Sequence, residues 1–193
     1  MDAPVDAVDQ DIGRRVHGLR ANAGMTLEGL ADRSGVSRAM LSRIERAQSS
    51  PTAQLLNRVC AGLGVTLSTL FAAAEASVSP LRRRSEQRDW RDPGSGYVRR
   101  VVSPPGTGSP AEIIEVEFPA GANVRFVSSR LPDADQHVWV LAGAMEMTVG
   151  DETYRLDEGA CLRMRLDQPI RFHNPFDRPA RYAVVITRGG ARP

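Results

Sequence analysis

Lysine is absent from this chain of 193 residues, and all 25 basic side chains are arginine, a usage that points to GC-rich coding DNA. Cysteine is nearly absent as well. Cys60 and Cys161 are the only two, and a disulfide between them is not expected in a reducing compartment. Cys60 falls on a helical core stripe and Cys161 in a strand-like run, so buried, inert thiols are expected ahead of a redox sensor. No apolar run approaches the roughly 20 residues that span a bilayer, and no secretory signal precedes the first periodic segment. A cytoplasmic protein without a membrane partner is expected. Aromatic residues make up 5% and hydrophobic residues 41% of the chain, enough for two modest domains with separate cores but not for one large enzyme. The formal net charge is only +2, so attraction to a polyanion has to come from a local concentration of arginine.

Such a concentration lies near the start. Between residues 12 and 58 stand Arg14, Arg15, Arg20, Arg33, Arg38, Arg43, Arg46 and Arg58, opposed only by Glu28, Asp32 and Glu45. Within this stretch, residues 26–46 (TLEGLADRSGVSRAMLSRIER) read as two short helices about a tight turn. Leu27, Leu30 and Ala31 give the first an apolar face, and Leu41 and Ile44 give one to the second. Ala31 leaves room for a close crossing, and Gly35 supplies the left-handed backbone of the turn. Val36 plugs the gap, and Ser37 caps the second helix. Removing the buried positions leaves Ser37, Arg38, Ala39, Ser42, Arg43 and Arg46 outside. An α-helix fits the major groove, where arginine bonds guanine through two donors, serine serves several bases and a methyl group meets thymine.

Flanking segments complete a helical domain. Val8, Ile12 and Leu19 recur at helical spacing up to Gly24. Pro51 and Thr52 open a further helix with the stripe Leu55, Leu56, Val59, Cys60 and Leu63, which Gly62 and Gly64 break. Residues 66–71 form a last short helix. On GMTLEGLADRSGVS, LSRIERAQSSPT and GLGVTLSTLF, residues 12–71 resemble the phage-repressor, or xenobiotic-response-element, type of helix-turn-helix domain. The resemblance implies that Thr26 touches backbone phosphate, while Ser37, Arg38, Ala39, Ser42 and Arg43 face bases of a double-stranded operator. Leu27, Glu28 and Arg38 stand where many members carry glutamine near the helix starts, so no operator sequence can be borrowed.

After a small-and-polar stretch that we read as a linker over 74–88, whose Arg82, Arg83 and Arg84 either meet phosphate or keep the connection solvated, the period shifts toward two. YVRRVV, AEIIEVEF, NVRFV, HVWVLA, MEMTVG, TYRL, ACLRMRL, IRF and RYAVVI read as short strands between glycine and proline turns, which implies a β-sandwich or barrel. The blocks QHVWVLAGAMEMTVGDETYRLDEGACLRM and LDQPIRFHNP resemble the two motifs of the cupin family, with Gly143, Gly159 and Asn174 at matching positions. The family's metal ligands do not carry over. Their places fall near Ser129 and Leu131 and on Gln136 and Ile170, residues that bind transition metals poorly or not at all. His137 and His173 lie at odd separation from Gln136 and Ile170, so strand alternation turns them outward. His17 has no evident partner. By parity Arg125, Val127, Gln136, Val138, Val140, Ile170 and Phe172 line the interior, with Arg125 or Arg163 able to hold a carboxylate.

The reading is therefore a multidomain α plus β protein. A five-helix helix-turn-helix domain (1–73) and a linker (74–88) precede a cupin double-stranded β-barrel (89–193). The combination resembles regulators in which the barrel implies dimerisation and effector sensing. The expected function is sequence-specific repression on an operator, as a homodimer, with no enzyme activity, cofactor or metal and with a small molecule as effector. A DNA-tethered cupin isomerase or dioxygenase and an antitoxin-like autoregulator are the alternatives.

Overall fold

The computed structural model describes residues 7–71, 79–127 and 134–188. Among these residues five helices come first: α1 (Ala7–Asn22), α2 (Leu27–Ser34), α3 (Arg38–Glu45), α4 (Ala53–Leu63) and α5 (Leu67–Phe71). Each short helix starts where a hydroxyl can satisfy its first backbone N–H groups. Thr26 Oγ1 accepts from Gly29 N at 3.0 Å, Ser37 Oγ from Met40 N at 3.3 Å and Thr52 Oγ1 from Leu55 N at 3.3 Å. Gly35 closes α2 at φ 65°, a left-handed conformation that glycine adopts without Cβ strain. Ile12, Val16, Leu30, Leu41, Ile44, Leu56 and Val59 form the buried centre, and hiding a side chain of this size contributes about 1.5–3 kcal/mol.

Two helix crossings depend on glycine for space. A Cβ on Gly13 would lie 2.5 Å from the Ile44 carbonyl oxygen, where α1 crosses α3. A Cβ on Gly62 would lie 2.8 Å from Ser34 Cβ, where α4 crosses α2. Gly62 therefore does not break α4, as the sequence suggested, but is a notch inside it. The helix ends at Gly64.

Among the described residues ten strands follow: β1 (Asp89–Arg91), β2 (Val98–Val101), β3 (Ala111–Phe118), β4 (Asn123–Phe126), β5 (Ala134–Ala142), β6 (Met145–Val149), β7 (Glu152–Leu156), β8 (Cys161–Arg165), β9 (Ile170–His173) and β10 (Ala180–Arg188). They make a six-stranded antiparallel sheet, β1-β2-β3-β10-β5-β8, and a four-stranded one, β4-β9-β6-β7. Inward residues of both, such as Ile114, Val138, Tyr182, Met147 and Phe172, are buried. Asn174 ties the strand ends, its Nδ2 donating to Arg178 O at 2.9 Å and to Phe118 O at 3.3 Å. Gly143, at φ 76°, leaves no space for a side chain against the Pro179 carbonyl.

One expectation is corrected here. Cys161 is exposed, because Leu162, Met164 and Leu166 take the interior side of their run and turn alternate residues out. Part of the segment read as linker, residues 79–88, is tied to the barrel. Arg82 donates to the carbonyls of Val101 and Ser103 at 3.1 and 3.3 Å, which occupies it on the barrel and away from phosphate. Residues 72–78 lie outside the described residues.

The two domains are docked. Asp92, buried on the barrel side, accepts from Ala53 N at 2.7 Å and so caps α4 of the helical domain. The Phe71 ring of α5 lies 5.0 Å from that of Trp90, and the Arg99 guanidinium stacks over Phe71 at 5.0 Å. Arg88 adds an ion pair to Asp11 of α1 at 2.6 Å.

Candidate nucleic-acid interface and barrel cavity

Helix α3 buries Leu41 and Ile44 against the helical core, which fixes the side it presents outward. Ser37, Arg38, Ala39, Arg43 and Arg46 are exposed along it, Ser42 is half-buried among them, and Thr26 is exposed at the start of α2. These are the residues assigned from sequence to DNA contact. Arg38 is held by Glu28 at 2.7 Å, with both side chains about two-thirds exposed (66% and 64%). Arg43 donates to Gln48 O at 3.2 Å and Arg46 to Ser42 O at 3.1 Å. Such exposed contacts are weak and exchange readily for a phosphate or a base edge.

Behind this face an ion pair locks α3 to α1. Arg20 donates to the Glu45 carboxylate at 2.6 and 2.8 Å, and His17 Nδ1 lies 2.9 Å from it. His17, without an evident partner in the sequence, thus has one in the fold. Burial alone would raise the Glu45 carboxyl, but hydrogen bonds and charge from Arg20 and His17 prevail and hold it below the usual carboxylate range.

The second feature is a cavity of about 100 Å³, several times the roughly 10–15 Å³ that admits a single water, so the space suits a small molecule. It lies between the two sheets, at the end of the barrel that the helical domain covers. Gln136, Val127, Ile170 and Phe172 line it, with Gln136 buried and its Nε2 3.9 Å from Met164 Sδ. Four expected lining residues are elsewhere. Val138 and Val140 are fully buried in the core. Arg125 points out of β4, because Val124 and Phe126 take the inner side. Arg163 lies on the outer face of β8 and pairs with Asp135 at 2.5 Å.

Among the described residues, the cation in the cavity is instead Arg99. Burial pushes its guanidinium downward, partly offset by Tyr97 and Glu112, and arginine stays charged under such a shift. Burial also raises the phenols of Tyr97 and Tyr182, which share the cavity wall, so both remain hydrogen-bond donors. A usable signal stood in the sequence: adjacent arginines on a strand face opposite ways, so either Arg99 or Arg100 had to turn inward. The helical domain supplies a further part of the wall through Asn57, Val65, Thr66 and Leu67, a contribution that only docking reveals.

Gln136 and Ile170, at two of the cupin ligand positions, do not fit a transition metal: one offers a neutral amide and the other a hydrocarbon. Ser129 and Leu131 lie outside the described residues. His137 is on the outer side of β5, and His173 is on the outer side of β9, 3.3 Å from Glu146. Among the described residues, no helix is long and apolar enough to cross a membrane.

Comparison with known proteins agrees with this geometry. A helix-turn-helix domain profile matches residues 11–72 and a cupin domain profile matches residues 114–186. The HTH-type transcriptional regulator SutR of Escherichia coli is 27% identical over 171 residues, covering 87% of this chain and 89% of that protein. SinR of Bacillus subtilis is 42% identical over 61 residues, which cover 31% of this chain and 55% of SinR. The crystal structure of an HTH_3 family transcriptional regulator from Vibrio cholerae shares the fold, with a TM-score of 0.78 at 24% identity over 94% of this chain and 97% of that one.

Proposed function

Because this chain is a DNA-binding transcriptional regulator that joins a helix-turn-helix domain to a cupin domain, we propose that it is a non-enzymatic repressor. It acts as a homodimer on a near-palindromic operator, with the barrel as a metal-free sensor of a small molecule. The observation that carries the reading is the outward row on α3 from Ser37 to Arg46, fixed by burial of Leu41 and Ile44 on the other side. In this assignment Arg38 and Arg43 read bases, Thr26 and Arg46 hold phosphate, and Ser37, Ala39 and Ser42 fit the groove floor. Repression needs nothing more than occupancy of the operator.

Dimerisation has a physical motive, since one small head makes few base contacts and two on adjacent half-sites multiply both affinity and specificity. The outer face of the six-stranded sheet supports it. Trp139 is 50% and Ile113 41% exposed there, on either side of Ala183 and Val185 of β10, and exposed apolar side chains grouped in this way suit an interface. Selection of bound sites from genomic DNA, followed by a reporter driven from those sites, tests the proposal. Paired half-sites and reduced expression are expected. Single half-sites or raised expression would contradict it.

A further inference from the structure

The cavity wall comes from both domains, and two of its polar groups stand out. Arg99, on β2, is the only charged residue among the described residues that line it. Asn57, on α4 of the reading head, places its Oδ1 out of contact with water and accepts no hydrogen bond from any described residue. A buried acceptor left without a donor is costly. Between them the walls are mainly aliphatic and aromatic, Phe118, Ile170 and Phe172 included.

We propose that this cavity takes a small organic acid with an apolar body and a hydrogen-bond donor, its carboxylate seated on Arg99 and its donor on Asn57. The proposal rests on the sensing role given above and names its ligand class. The guanidinium offers a carboxylate paired N–H donors, Tyr97 and Tyr182 can donate to the same anion, and an alcohol or amide N–H would satisfy Asn57. Such a ligand touches the barrel at one end and the reading head at the other. Its affinity therefore depends on how the head is placed, and by linkage operator affinity depends on the ligand by the same factor. Coupling then acts across the docked surface, where Phe71 of the head already lies on Arg99, and does not have to pass along the linker.

The test uses the full chain and two matched sets of probes: phenyllactate with phenylpropionate and phenyllactamide, and α-hydroxycaproate with caproate and its α-hydroxyamide. Binding is followed by calorimetry and operator affinity by anisotropy. The hydroxy acids are expected to bind best in at least one set. Arg99→Gln is expected to weaken them by about tenfold or more, with Arg99→Lys in between. Asn57→Leu is expected to leave the melting temperature of the free protein unchanged or raised, and to remove the advantage of hydroxy acid over plain acid. A saturating hydroxy acid is expected to change operator affinity by about fivefold or more. Equal binding of the amides, or unchanged acid binding in a folded Arg99→Gln protein, overturns the ligand class but leaves sensing intact. Absence of binding by every probe while the operator is still bound overturns the assignment of this cavity as effector site. Failure to bind any operator, by contrast, strikes the regulator reading itself.

Discussion

At the scale of single residues, the side chains proposed to read DNA are distinct from those that hold the helical domain in shape. Arg38→Ala and Arg43→Ala are each expected to cost about 1–3 kcal/mol on a cognate operator. Stability should barely move, because the contacts of Arg38 with Glu28 and of Arg43 with Gln48 are exposed and such contacts contribute about 0–1 kcal/mol. Anisotropy and thermal melting check the two halves separately, and unchanged operator binding removes the arginine from the reading face. Glu45 belongs to the other group. Its carboxyl is held below the ordinary range in the folded protein, so its stabilisation is complete above the unfolded value of about 4.3 and drains away as pH falls through the lower folded value. Glu45→Gln is expected to flatten the acid side of the stability profile, measured as melting temperature between about pH 5 and 3.

At the scale of elements, α1 contains its own control. Gly13→Ala drives a Cβ to 2.5 Å from the backbone of α3, whereas a Cβ on Gly18 meets nothing within 4 Å. Gly18→Ala should therefore stabilise the helical domain by up to about 1 kcal/mol through helix propensity. Gly13→Ala should destabilise it despite the same gain, as denaturant titration of both variants will show. The elements themselves were legible in the sequence because capping residues and apolar periods are local signals: Ser37 and Thr52 each mark a helix start, and AEIIEVEF is β3 in full. Side-chain direction failed where a run carries an apolar residue too many. NVRFV offers Val124, Phe126 and Val127, and the wrong parity turned Arg125 inward. Strand β1 was missed because DWR is too short to show an alternation. Cys161 and Arg163 share a parity that Leu162 and Met164 forbid to the interior, a rule present in the sequence but outweighed by the usual burial of cysteine.

At the scale of the whole molecule, what sequence could not provide is docking. Asp92 caps Ala53 and Phe71 meets Arg99 only after two separately periodic segments have folded and come together, so the cavity's second wall had no sequence signature. Assembly is the next level. Trp139→Arg on the outer face of the six-stranded sheet is expected to convert dimer to monomer in light scattering and to weaken operator binding, because one head loses its neighbour. A dimer that persists moves the interface elsewhere. The central claim is that the arginine-rich head binds operator phosphates as well as bases, and salt dependence of operator affinity tests it most directly. With about six or more phosphate contacts from two heads, affinity should fall by about a thousandfold or more between roughly 50 and 200 mM salt, linearly in logarithmic terms. An affinity that stays flat across that range would contradict the account.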